Sequence, residues 1–312
     1  MSLIGLKENG LKLILFGGKG GVGKTTCASS TALYLSCDFK TLLVSTDPAH
    51  SLSDSLDQKI GDEIKEVKGI KNLSALEISA EKALYKFKME YENQIKKILD
   101  TSTYLDQEDI DSIFNLPIPG IDEVMGFKTV VDLIEEAQFD KYIVDTAPTG
   151  HALRLLTLPE LLDNWIKVMA QMRWKYRYMV KTFGGKYNPD EADDFLLTMK
   201  KTVKGIESLL RDSNKCEFIA VTIPEDMAVL ETERLINSLD KYGVKVKQII
   251  INNVVEPTNN CKFCREKRRF QEKYISQIRK KFGGLKTTMV PLQPGEVRGM
   301  DALHIFQEFL FQ

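Results

Sequence analysis

No segment of this 312-residue chain restricts its fold as strongly as Gly18-Lys19-Gly20-Gly21-Val22-Gly23-Lys24-Thr25. The run matches G-x-x-x-x-G-K-[ST], follows an apolar stretch ending at Phe16 and precedes a helix-compatible stretch through Leu35. A strand, a glycine-rich turn and a helix in that order let backbone N–H groups curl around phosphate oxygens at the positive end of the helix. The expected nucleotide-binding stretch runs from Gly18 to Thr26, with Lys24 reaching the β- and γ-phosphates of ATP and the Thr25 hydroxyl on Mg2+. A turn that joins strand to helix and binds nothing is the alternative. Lys19 sharpens the reading, because a second lysine near the start of the turn marks the deviant Walker A subclass, where it reaches across a dimer to the partner's nucleotide. Hydrolysis then needs a closed homodimer, since charge developing on the phosphoryl group requires a positioned cation.

Strand-like runs at 11–17, 41–47, 141–145, 217–223, 246–255 and 287–292 alternate with helical stretches. Several are continuously apolar, as strands buried on both faces of a parallel sheet are. The fold expected is α/β, a doubly wound, mostly parallel sheet of the P-loop NTPase kind. Two regions, about 80–136 and 158–210, read as helical with long apolar side chains, and we expect them to form a helical subdomain inserted into a single ATPase domain spanning 1–312. One phosphate motif implies one nucleotide site per chain.

Two acids fall at strand ends. Asp47, in Asp47-Pro48-Ala49-His50-Ser51, sits where open α/β sheets place functional groups, and either orients or deprotonates the attacking water or caps the next helix. Asp145 ends the apolar run Tyr142-Ile143-Val144, the context of a Walker B acid that holds Mg2+ directly or through water. The following Thr146-Ala147-Pro148-Thr149-Gly150-His151 is rich in turn formers and suits a segment that moves with the γ-phosphate. His151 is read as a local hydrogen-bonding group.

With Lys and Arg totalling 43 against 44 for Asp and Glu, the chain has no global field favouring nucleic acid or an anionic surface, so any partner is recognised locally. The first residues lack an apolar signal core and no stretch approaches the ~20 apolar residues that span a bilayer, so a cytoplasmic location is expected. Five cysteines in a chain of this length suit reduced thiols. Only Cys261 and Cys264 have informative spacing. Two thiolates are half of the tetrahedral set that zinc prefers, and two chains would supply four; a pair of free thiols or a redox pair is the alternative.

Four ordered motifs resemble one family. Gly-Lys-Gly-Gly-Val-Gly-Lys-Thr at 18–25, Asp-Pro-Ala-His-Ser-Leu at 47–52, Asp-Thr-Ala-Pro-Thr-Gly-His-Ala-Leu-Arg at 145–154 and Pro-Leu-Gln-Pro-Gly-Glu-Val-Arg-Gly at 291–299 are similar to those of the ArsA-type ATPases. Within it the chain looks most like the guided-entry ATPases of archaeal type, which shield tail-anchored membrane proteins. The resemblance implies that Lys19 is the signature lysine, Asp47 the catalytic acid of a first switch, and Asp145 the start of a second. It implies nucleotide contacts at Glu225, at Asn252 on the adenine, and in the segment holding Pro291 and Pro294. It also implies one zinc shared between protomers by Cys261 and Cys264, a homodimer or a tetramer with cargo, and a membrane receptor or insertase as partner.

On this reading the helical region carries the cargo. Trp165, Ile166, Val168, Met169, Met172, Trp174, Met179 and Val180 bring large apolar side chains close together, joined by Met125 and Phe127. Methionine's flexibility suits a groove that accepts varied transmembrane helices, with Met125, Met169, Met172, Trp174 and Met179 as its expected lining. A core internal to the region is the alternative for each residue. Arg173, Lys175, Arg177 and Lys181 are read as a solvated face. Rival functions are a metalloid-pump ATPase, an iron–sulfur carrier bridging a cluster through the cysteine pair, and a nucleotide-gated scaffold without hydrophobic cargo.

Overall fold

The computed structural model describes residues 3, 5–47, 51–102, 106–115, 121–146, 149–256 and 261–311, with side chains at 102, 107, 113, 115, 121–124, 149–159 and 161 outside the description. Pro48, Ala49, His50, Ala147 and Pro148 therefore lie outside the described residues, as does the side chain of His151.

The elements run β1 (Leu13–Gly17), α1 (Lys24–Leu35), β2 (Thr41–Ser45), α2 (Ser51–Leu56), β3 (Lys65–Glu66), β4 (Leu73–Glu77), α3 (Ala80–Ser102), α4 (Gln107–Asn115) and α5 (Ile121–Glu135). They continue with β5 (Lys141–Asp145), α6 (Thr149–Thr182), α7 (Glu191–Arg211), β6 (Cys216–Thr222), α8 (Asp226–Lys241), β7 (Val246–Val254), α9 (Lys262–Lys281), β8 (Lys286–Pro291) and α10 (Gly299–Phe311). The strands form one sheet in the order β3-β4-β2-β5-β1-β6-β7-β8. Every pairing is parallel except β3 with β4.

Alternation along the strands divides the core. Ile250 packs with Ala28, Ala32 and Leu35 of α1 and Leu303 and Phe306 of α10. Its neighbours Ile249 and Ile251 join Val229 of α8 and Ile275 and Ile278 of α9. The sheet is thus apolar on both sides, as the continuous Val/Ile/Leu runs require. Helix α1 is buried nearly all round because its side chains are small, and two of its hydroxyls find partners: Ser30 Oγ donates to the Leu303 carbonyl at 3.3 Å and Ser55 Oγ to Ser29 Oγ at 3.2 Å.

The edge pair β3 and β4 was not expected from sequence. β4 reads Leu-Ser-Ala-Leu-Glu and is fully buried. Its Glu77 is tolerated inside because its carboxylate accepts from the Ser53 N–H and the Ser53 hydroxyl, both at 2.9 Å. Thr149 and Gly150, in the turn-former-rich run after Asp145, begin α6.

The chain divides into two compact units, one comprising 1–79, 129–156 and 209–312 and the other 80–128 and 157–208. Among the described residues the regular elements of the second are all helices. Phe87, Trp165 and Phe195 gather in it with ring centroids 6.2–6.5 Å apart. Ile98, Ile166, Met169, Met199 and Ile206 are buried with them. Arg173 corrects the solvated-face reading: it is only 3% exposed, its Nη2 lying 2.5 Å from Asp190 Oδ1 and 3.4 Å from Asp193 Oδ2. Burial works to raise the Asp190 pKa, but the bonds from Lys97 and Arg173 overcome it and hold the carboxyl at about 2. Among the described residues no helix is long and apolar enough to cross a membrane.

Candidate functional site

The glycine-rich turn leaves the carboxyl end of β1 and feeds α1, whose N-cap is Gly23 at φ 91°. That left-handed backbone favours glycine, and a Cβ there would lie 2.3 Å from Asn252 Nδ2. A Cβ on Gly18 would meet the Val221 carbonyl oxygen at 2.1 Å, so at Gly18 and Gly23 the turn presses against β6 and β7 with no room for a side chain. Val22 is fully buried and anchors the turn, and its carbonyl accepts from Asn252 Nδ2 at 3.0 Å. The other amide atom of Asn252, Oδ1, is buried with no hydrogen-bond partner among the described residues.

Lys24 is buried, and its Nζ donates to the Lys19 carbonyl at 3.3 Å. Desolvation lowers its pKa, opposed by the charges of Asp145 and Asp47. Both carboxylates thus face the lysine electrostatically. Thr25 Oγ1 donates to Asp145 Oδ2 at 2.6 Å, and Ser51 Oγ to the same oxygen at 3.4 Å. Asp145 Oδ1 is buried without a partner among the described residues. Burial pushes the Asp145 pKa up to about 6, a shift that Thr25, Lys24 and Ser51 moderate and Asp47 adds to. The register explains the assembly: Asp145 stands level with Ser45 of β2 and Phe16 of β1, so the ends of three adjacent strands converge. Asp47 follows one of them, half-buried, its N–H bonded to Ser45 Oγ at 3.1 Å.

A cavity of about 470 Å³ opens beside this cluster. The turn and α1 contribute Gly21, Gly23, Thr25 and Thr26, and Asn252 and Asn253 form another part of the wall. The segment after β8 supplies Leu292, Gln293 and Gly295 through Arg298; Pro291 closes the strand and Pro294 lies between two lining residues. Its size and mixed lining suit a nucleotide. The oxygen donors of Thr25 and Asp145, one of them buried and unpartnered, fit a hard cation such as Mg2+. Sequence reasoning missed Asp54, Ser55 and Phe306, which line the same cavity, and gave Ser51 and Arg298 no role of their own. Arg298 also binds Asp57 Oδ1 through Nε at 3.1 Å and Nη2 at 2.8 Å.

Other expected positions lie elsewhere. Lys19 is half-exposed. Glu225 caps α8, is exposed, pairs with Lys267 at 3.6 Å and does not line the cavity. Cys261 caps α9, its Sγ accepting from the Cys264 N–H at 3.4 Å. That backbone bond, with one from the Cys264 side chain, lowers the Cys261 pKa and favours a thiolate. Among the described residues no group of three or more metal-binding side chains forms, so a four-sulfur site would need a second chain. Of the expected groove lining, Met125 and Met169 are buried within the helical unit, whereas Trp174 and Met179 are exposed. Met169 and Met172 line an apolar cavity of about 200 Å³ with Phe87, Trp165 and Val168.

The family model for anion-transporting ATPases, ArsA_ATPase, matches residues 11–312. The chain belongs to this ArsA ATPase family. It is 39% identical to ATPase ASNA1 homolog 1 of Paramecium tetraurelia over 98% of this chain and 94% of that one. Identity is 36% to ATPase ASNA1 homolog of Dictyostelium discoideum, over 97% and 90% of the two chains. To ATPase GET3 of Chaetomium globosum it is 33%, over 98% and 92%. This ArsA-family protein is accordingly an ATP hydrolase, and ATP is its nucleotide.

Proposed function

We propose that this ATPase binds and shields the transmembrane segments of tail-anchored proteins and delivers them for membrane insertion, using Mg2+-dependent ATP hydrolysis as a conformational switch. The observation that carries the proposal is the surface of the helical unit: Trp174 is 65% exposed and stacks on the exposed Tyr178 at 5.8 Å, with Val168 and Met179 also in water. Large apolar groups left in solvent on a nucleotide-hydrolysing protein call for an apolar ligand. Residue roles follow. Lys24 holds the β- and γ-phosphates, Asp47 orients or deprotonates the attacking water, Asn252 receives adenine at its unpartnered Oδ1, and Lys19 acts in the partner protomer's site. Thr25 and Asp145, the latter directly or through water, would hold Mg2+, which neutralises phosphate charge when bound. Cys261 and Cys264 of two protomers would hold one zinc between them.

The proposal places the protein in the cytoplasm as a homodimer, or a tetramer with cargo, that meets a membrane receptor or insertase. Its archaeal affinity rests on the sequence resemblance, the relatives named above being eukaryotic. The experiment targets exposed residues, because Asp at the buried Met169 would damage the core. Trp174→Asp with Met179→Asp should keep basal ATP turnover and reduce capture of a co-expressed tail-anchored segment at least ~10-fold. Unchanged capture contradicts the proposal.

A further inference from the structure

Helix α9 carries nine Lys or Arg against two Glu, in a chain whose formal net charge is -1. Gln271, Ile275 and Ile278 form its buried stripe. Phe263 and Phe270 are 72% and 71% exposed. Seven residues make two turns, so both rings lie on one side of the helix, about 10 Å apart along its axis. Lys267, Arg268 and Lys281 are paired with Glu225, Glu272 and Glu233. Lys262, Arg265, Arg269, Lys273 and Lys280 are exposed and make no ion pair among the described residues.

The occupant of this face must answer both its charge and its rings. A second copy would set nine like charges against nine, which opposes self-association beyond the first turn, where the cysteines lie. A nucleic acid answers the cations but offers two rings standing on a convex helix only one-sided stacking. An anionic bilayer answers both, because Lys and Arg reach headgroup phosphates and carboxylates while a ring on the same side enters the acyl boundary. We propose that the exposed face of α9 docks the protein on anionic lipid surfaces, with Phe270 inserted, the flanking Lys and Arg at the headgroups, and Phe263, in the cysteine-bearing first turn, outside the contact. This surface belongs to the sheet-containing unit and does not depend on the cargo reading.

The test is co-sedimentation of the full chain with vesicles of phosphatidylcholine alone and of phosphatidylcholine containing phosphatidylglycerol. We expect at least ~10-fold tighter binding to the anionic vesicles, weakening with added salt. Phe270→Ser, and separately Arg269→Glu with Lys273→Glu, should each reduce that binding roughly 10-fold and leave basal ATP turnover unchanged. These positions lie past the cysteine pair and leave it intact. Equal binding to both vesicles, or binding that ignores both variants, overturns the proposal. So does a loss that follows Trp174→Asp alone, which would place adsorption on the helical unit. Capture by polyglutamate or duplex DNA without vesicle binding would assign the face to a protein or nucleic-acid partner.

Discussion

At the scale of single residues, the site is a set of charges held out of water, and Asp145 feels it most. Its folded pKa of about 6 lies above the ordinary 3.8. The protonated form therefore stabilises the metal-free protein, a contribution complete below pH 3.8 and lost as pH rises through about 6. Over that window Asp145→Asn should flatten the fall in stability relative to the parent by about 1–3 kcal/mol, read from paired denaturation midpoints. A metal ion competes with that proton, so Mg2+-dependent ATP binding should weaken as pH drops below about 6; parallel pH profiles for parent and variant would refute the account. Asp47 is proposed to act on the attacking water. Asp47→Asn should then bind ATP normally in a filter assay and lose turnover by roughly 10²–10⁴, while normal turnover removes the role.

Elements differ in how legible they are, and the cause is where their information lies. The turn at 18–25 and Asp145 are local signals: a glycine spacing after one strand, an acid at the end of another. β4 is not, because its burial depends on Glu77 being satisfied by Ser53, 24 residues away. The same holds for Arg173, whose neighbours Lys175, Arg177 and Lys181 suggested a solvated face. Asp190 and Asp193, which pair with it, become visible only once α6 and α7 are built. Removing that cation leaves two carboxylates short of a partner, so Arg173→Leu should destabilise the helical unit by about 2–4 kcal/mol in denaturant. A change below about 0.5 kcal/mol would restore the solvated-face reading.

At the scale of the whole molecule, the parallel sheet was legible because strands buried on both faces write continuous apolar runs. Of the far wall of the nucleotide cavity, the segment 291–299 was legible only through its resemblance to a family segment and Phe306 was not legible at all, since Arg298 and Phe306 lie more than 270 residues from the turn they face. Exposure in the helical unit was not legible: the same stretch of α6 carries the buried Met169 and the exposed Trp174. The central claim is that nucleotide state governs the holding of an apolar segment. It is tested most directly by co-expressing the protein with a tail-anchored segment, purifying through a tag on that segment, and measuring mass, metal and cargo release on adding Mg2+ and ATP. The account predicts a soluble dimer or tetramer with about one zinc per two chains that releases cargo as ATP is hydrolysed. A tagged segment that brings down none of the protein, or cargo retained regardless of turnover, would contradict it.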